Sequence, residues 1–115
     1  MKEIDQTQLV LDILSSKWAT RIVRTLNNNT RRFSEIQKAL PDTKQKVLTE
    51  TLRKLERNGI VDRKLYPAVP PQVEYKLTSI GLDFLQLSGV LSDWIAIHEE
   101  EIIRSQKSYD RRSKV

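Results

Sequence analysis

Lys44, Gln45, Lys46, Thr49, Glu50 and Arg53 are the residues whose types and spacing best suit recognition chemistry. On a helix they share one face, opposite an apolar stripe of Leu48, Leu52 and Leu55 with Val47 at its edge. A glutamine can pair with adenine in a major groove. Arginine or lysine can reach guanine or a phosphate, and glutamate can accept from cytosine. Any solvated surface helix shows a similar mixture, so the face alone decides nothing. The surrounding charge adds to it. Residues 31–76 hold eleven basic and six acidic side chains, an excess that equals the +5 of the whole chain. A localised basic segment is the electrostatic footprint of a nucleic-acid binder, although a lysine-rich solvated surface gives the same sum.

Other chemistries are poorly supplied. There is no cysteine, which excludes disulfides, thiolate metal sites, cysteine nucleophiles and thiol redox sensing. The one histidine, His98, makes a zinc site improbable, and no Gly-x-Ser-x-Gly sequence accompanies it. The three glycines form no phosphate-cradling loop. The expectation is a protein that is not an enzyme, with no cofactor and no bound metal. Aromatic residues make up 6% of the chain, too few for a single-strand binder built on exposed stacking platforms. Trp18, Phe33 and Tyr75 are therefore assigned to the core.

At 115 residues and 13.4 kDa the chain is sized for a single domain spanning 1–115. Mean hydropathy is -0.50. The most apolar stretch, 80–97, contains Asp83 and Asp93, so a membrane role is not expected. The N-terminal residues are mixed in charge and lead into no signal-type apolar core, so a cytoplasmic location is expected.

The elements that must position the polar face follow from periodicity and punctuation. Leu9, Leu11 and Ile13 suggest a first helix over about 6–15, ended by Ser15-Ser16, which can cap the next. Trp18, Ile22, Val23 and Leu26 give a second helix over about 17–27, stopped by Asn27-Asn28-Asn29. Residues 30–33 read as a short extended piece. Ser34, with Gln37 as a capping box, opens a third short helix whose Ile36 and Leu40 face inward. After Pro41, either Asp42 or Thr43 can cap a fourth helix over about 44–58, with Gly59 supplying its left-handed end. Runs 60–65 and 73–77 look like strands, joined by a tip whose Pro67, Pro70 and Pro71 stiffen it. Thr78 caps a last helix reaching about 107.

This order is that of a mainly α (α+β) winged helix-turn-helix with a two-stranded wing and a long C-terminal dimerisation helix. The DNA-binding unit would be about 31–77, with dimerisation elements at about 6–15 and 79–107. Arg63 and Lys64 lie on opposite faces of the first wing strand, so one should face the DNA backbone. Arg31 and Arg32 precede the third helix and could clamp phosphate, or Arg32 could pair with Glu35. The tip 66–72 could touch DNA or serve folding alone.

The chain resembles the HxlR-type family of winged-helix transcriptional regulators, relatives of the MarR class. The resemblance covers roughly 11–94. It rests on Lys17-Trp18, Arg32-Phe33-Ser34-Glu35-Ile36, Leu40-Pro41, Lys46-x-Leu48-Thr49, Leu52-Arg53-x-Leu55-Glu56 and Asn58-Gly59. Arg63, Tyr66-Pro67, Val69-Pro70-Pro71, Val73-Glu74-Tyr75-x-Leu77-Thr78, Gly81 and Trp94 complete it. The segment 66–81 is the most specific part. The resemblance implies sequence-specific binding of double-stranded DNA by a transcriptional regulator, and it matches Arg63 rather than Lys64. Two departures stand out. Ser16 replaces a usual glycine before Lys-Trp, and Lys44 replaces a usual serine at the start of the recognition helix. A cation there opposes the helix dipole, so Lys44 is either tolerated strain or a phosphate contact. Many members carry an N-terminal cysteine that senses oxidants or electrophiles; this chain has none. A protein-interaction module of the same fold, without DNA, is the alternative.

In the last helix Ile80, Phe84, Leu87, Leu91, Trp94 and His98 follow spacings of three and four. Leu85, Val90, Ile95, Ile97 and Ile102 widen the surface. A helix of about 30 residues is about 45 Å long, more than a small domain covers by itself. A homodimer is therefore expected, with Leu9, Ile13, Phe84, Leu87, Leu91, Trp94, Ile95 and His98 at its interface. The alternative is a break near Ser88-Gly89 that folds the helix back. His98 reads first as interface packing, with a pH switch as the lesser reading. An unidentified small-molecule effector is left open as a further partner.

Overall fold

A computed structural model describes residues 6–14 and 16–113. The elements are α1 (Gln6–Leu14), α2 (Lys17–Leu26), β1 (Arg31–Arg32), α3 (Phe33–Ala39), α4 (Gln45–Arg57), β2 (Val61–Tyr66), β3 (Gln72–Leu77) and α5 (Ser79–Arg112). Contacts divide the chain into two units, one ending at Leu85 and one beginning at Gln86. The expectations for Ser15 and for the N-terminal residues 1–5 lie outside the described residues.

In the first unit, α2 starts because Ser16 holds an extended conformation and its hydroxyl accepts from the Ala19 amide at 3.3 Å. It stops at Asn27, a non-glycine residue at φ 51, a conformation asparagine tolerates better than most. Helix α4 ends at Asn58. The Gly59 amide bonds the Glu56 carbonyl and the Ile60 amide bonds the Leu55 carbonyl, both at 3.0 Å. This Schellman closure needs the left-handed φ of +74 that Gly59 adopts. Ile22, Val23, Leu26, Ile36, Leu48, Leu52 and Leu55 are almost wholly buried together, joined by Ile60, Val61 and Leu77. Ile13, Trp18, Phe33, Tyr75, Phe84 and Leu85 pack against this core. The apolar stripe of α4 is thus the surface that fixes its outward face.

Several boundaries differ from the expectations. Ser34 does not cap α3. The N-cap is Arg32, whose amide donates to the Glu35 carboxylate at 2.9 Å, so the helix opens two residues earlier and Ser34 falls inside its first turn. Neither Asp42 nor Thr43 caps α4. Its N-cap is Lys44, which offers no side-chain acceptor. The extended piece near 30–33 is a true strand. β1 pairs with β3, which pairs with β2, all antiparallel, so the hairpin is part of a three-stranded sheet in the order β1-β3-β2. The hairpin register sets Arg63 opposite Tyr75 and Lys64 opposite Glu74.

Helix α5 is anchored where Thr78 caps it. The Thr78 hydroxyl donates to the Gly59 carbonyl at 2.5 Å and accepts from the Gly81 amide at 3.1 Å. A Cβ at Gly81 would overlap the Ile60 carbonyl oxygen, so glycine is needed for this close approach. In the second unit the chain is helical from Gln86 to Arg112, with no break at Ser88-Gly89, and it runs past the expected end at 107. By length and composition α5 is long and apolar enough to cross a membrane. Asp83 and Asp93 lie within it, and ionised carboxylates are costly in lipid.

Candidate nucleic-acid interface

The buried stripe of α4 turns Gln45, Lys46, Thr49, Glu50 and Arg53 to the opposite side, where they line a recess of about 570 Å³. A second recess of about 260 Å³ is lined by Thr49, Arg53, Glu56, Arg63 and Tyr75. Thr49 and Arg53 belong to both, so the helix face continues onto the sheet at Arg63. The Thr49 hydroxyl donates to the Gln45 carbonyl at 2.8 Å, which leaves it acceptor capacity toward a ligand. Gln45, Lys46, Glu50, Arg53 and Arg63 are exposed.

The sheet separates the two wing cations. Strand alternation puts Arg63 beside α4 and Lys64 on the other face. There Lys64 lines a different recess with Asp62, Tyr66, Glu74 and Lys76, its ammonium 5.0 Å from the Tyr66 ring centre. Of the expected site residues, Lys64 and Arg32 stand apart from the α4 face. Arg32 lines a recess with Phe33, Ser34, Pro71, Gln72 and Val73, between the start of α3 and the hairpin. Lys44 sits at the head of α4, exposed. Arg31 donates through its Nε to the Thr25 carbonyl at 2.9 Å, which leaves its terminal nitrogens available. Glu56 and Tyr75 were not expected in the site. Tyr75 packs on the core and yet lines the recess, which its register opposite Arg63 could have signalled.

Asp42 lies in the turn between α3 and α4. Its carboxylate receives two bonds from the Arg21 guanidinium, at 3.0 and 3.3 Å. Those bonds hold its pKa below the usual value of 3.8. The stabilisation is therefore present above pH 3.8 and lost as pH falls through the lowered folded value.

Among the expected interface residues of the first unit, Leu9 is 43% exposed, while Ile13 and Phe84 already pack on the core of their own chain. In the second unit Leu87, Leu91, Trp94 and Ile95 are exposed. His98 is half-buried, 4.9 Å from Trp94 between ring centres and 4.0 Å from the Glu101 carboxylate.

The HxlR-like helix-turn-helix family profile matches residues 13–102. The chain belongs to the HxlR-like family. An HTH-type transcriptional regulator, YvaP of Bacillus subtilis, is 43% identical over 84 residues, covering 73% of this chain and 78% of that protein. An HTH-type regulator of Methanothermobacter thermautotrophicus is 38% identical over 87 residues, covering 76% of this chain and 66% of that protein. A solved structure from Porphyromonas gingivalis W83, assigned to the MarR family of transcriptional regulators, superposes with a TM-score of 0.70 at 32% identity. That superposition covers 88% of this chain and 98% of the other. As an HxlR-like protein with a winged-helix fold, the chain is a transcriptional regulator and not an enzyme.

Proposed function

We propose that this regulator binds double-stranded DNA in a sequence-specific manner as a homodimer. The unit 31–77 does the binding, with α4 in the major groove and the β2–β3 hairpin on the flanking backbone or minor groove. The observation that carries this reading is the continuity of the α4 face with Arg63 through Thr49 and Arg53. Gln45, Lys46, Thr49, Glu50 and Arg53 are the groove-facing set, while Lys44, Arg32 and Arg63 are flanking phosphate contacts and Lys64, on the opposite sheet face, is the lesser candidate. Dimerisation uses α1 and α5. Its basis is the row of exposed apolar side chains Leu87, Leu91, Trp94 and Ile95, too large and too regular for a surface left in water. The protein acts in the cytoplasm, where its DNA is.

The test is a binding titration of a random-sequence duplex at 50 and 200 mM salt, with sedimentation run alongside. If about six phosphates are neutralised, affinity falls on the order of a thousandfold between the two conditions. Salt-insensitive or undetectable binding would favour a protein-interaction module. A monomer at micromolar concentration would sink the dimer.

A further inference from the structure

The turn that aims α4 is closed by the Thr43 amide on the Leu40 carbonyl at 3.0 Å but has no side-chain cap. Thr43 is 5% exposed, but its hydroxyl has no hydrogen-bond partner, and Lys44 provides no side-chain cap. The turn is instead tied to α2, twenty-one residues back in the chain. Arg21 grips Asp42 with both terminal nitrogens, at 3.0 and 3.3 Å. The guanidinium carbon lies 4.6 Å from the Trp18 ring centre, and Trp18 packs on the core. Lys17 sits against the same ring at 4.8 Å. Arg21 is therefore oriented before it meets Asp42. A bidentate fork on a fixed aromatic has a preferred direction, which a lone surface ion pair lacks.

We propose that Arg21 and Asp42 are positioning residues for DNA recognition: their paired fork sets the placement of the α3–α4 turn, and through it the register of α4 against base edges. The pair touches no base in this scheme. It rests on the DNA-binding reading above and names what regulates the accuracy of that site. The pair is partly exposed, with side-chain exposures of 37% and 58%, so its contribution to overall stability is small.

The charge of Asp42 gives the proposal a sign that simple electrostatics does not share. Removing a carboxylate beside a DNA-binding face should strengthen binding to any duplex if charge is all that matters. If the pair positions α4, Asp42→Asn weakens binding to the preferred sequence even though the protein becomes more positive. The experiment compares wild type, Asp42→Asn, Arg21→Gln and the double variant that carries both substitutions. The probes are a duplex enriched by the wild-type protein from a random pool and an unselected duplex of equal length. Thermal unfolding of each variant is followed in parallel.

The expected result is a selected-to-unselected affinity ratio about fivefold lower or more in Asp42→Asn and in Arg21→Gln, with the unfolding midpoints nearly unchanged, and no further loss in the double variant. A ratio equal to or above wild type in Asp42→Asn overturns the proposal. So does a ratio that falls in Asp42→Asn but stays at the wild-type value in Arg21→Gln, since Asp42 would then act on the DNA without its partner. If the wild-type protein enriches no sequence at all, the DNA-binding reading fails first, and this inference with it.

Discussion

Replacing Leu52 with alanine is expected to lower the unfolding free energy by about 2–5 kcal/mol. Leu52 is 1% exposed and sits mid-way along α4, between Leu48 and Leu55 on the stripe that meets α2. Truncation removes a buried isobutyl group and leaves a cavity that rigid neighbours cannot fill. Small domains are stable by only about 5–15 kcal/mol, so the loss is a large fraction of the whole. Urea unfolding followed by circular dichroism measures it. The control is Lys54→Ala, exposed on the same helix, which should change stability by no more than about 0.5 kcal/mol. A loss below about 1 kcal/mol at Leu52 would mean that α4 is not held by this stripe, and the outward direction of its polar face would lose its basis.

Arg53→Ala should cost about 1–3 kcal/mol of DNA affinity, roughly 5–150-fold. Arg53 borders both recesses, the one along α4 and the one shared with Arg63. It is therefore the cation best placed to contact DNA whichever way the helix lies along the groove. The mode of loss reports the contact. A base contact weakens the preferred sequence selectively. A phosphate contact weakens all duplexes alike and lowers the slope of log affinity against log salt by about one. Affinity unchanged in a fluorescence titration would remove Arg53 from the interface.

Much of this arrangement is legible in the amino-acid sequence. The leucine spacing of α4 locates its buried stripe, and the opposite face follows at once. The prolines between the two strand-like runs mark the hairpin, and Asn58-Gly59 marks the end of α4. Ser16 is a correct cap because its partner, the Ala19 amide, is three residues away. The failures share a physical cause. Asp42 looks like a helix cap, but a guanidinium twenty-one residues earlier takes its carboxylate. No local pattern announces that competition. Strand β1 is two residues long, too short to show alternation, and it exists only because β3 offers an edge. Phe84 falls on the stripe assigned to the dimer and also packs partly against the core, which spacing alone does not signal.

The charge excess is also sharpened by the structure. It sits in the same segment, yet its members do different work. Arg53 and Arg63 share one surface, Lys64 and Lys76 share another, and Arg31 is bound to the backbone. A count over residues 31–76 therefore overstates the number of cations available to one DNA strand. The lack of cysteine likewise leaves this sequence no thiol to carry a redox signal.

The most direct test of the central claim is footprinting of the wild-type protein on duplexes selected from a random pool. A homodimer that places one α4 per half-site should protect a roughly palindromic sequence. Its half-sites should be centred about 34–36 Å apart, one helical turn, or a multiple of that. Protection of such a site supports the account. A pool that yields no common sequence, or one asymmetric half-site protected by a single chain, contradicts it.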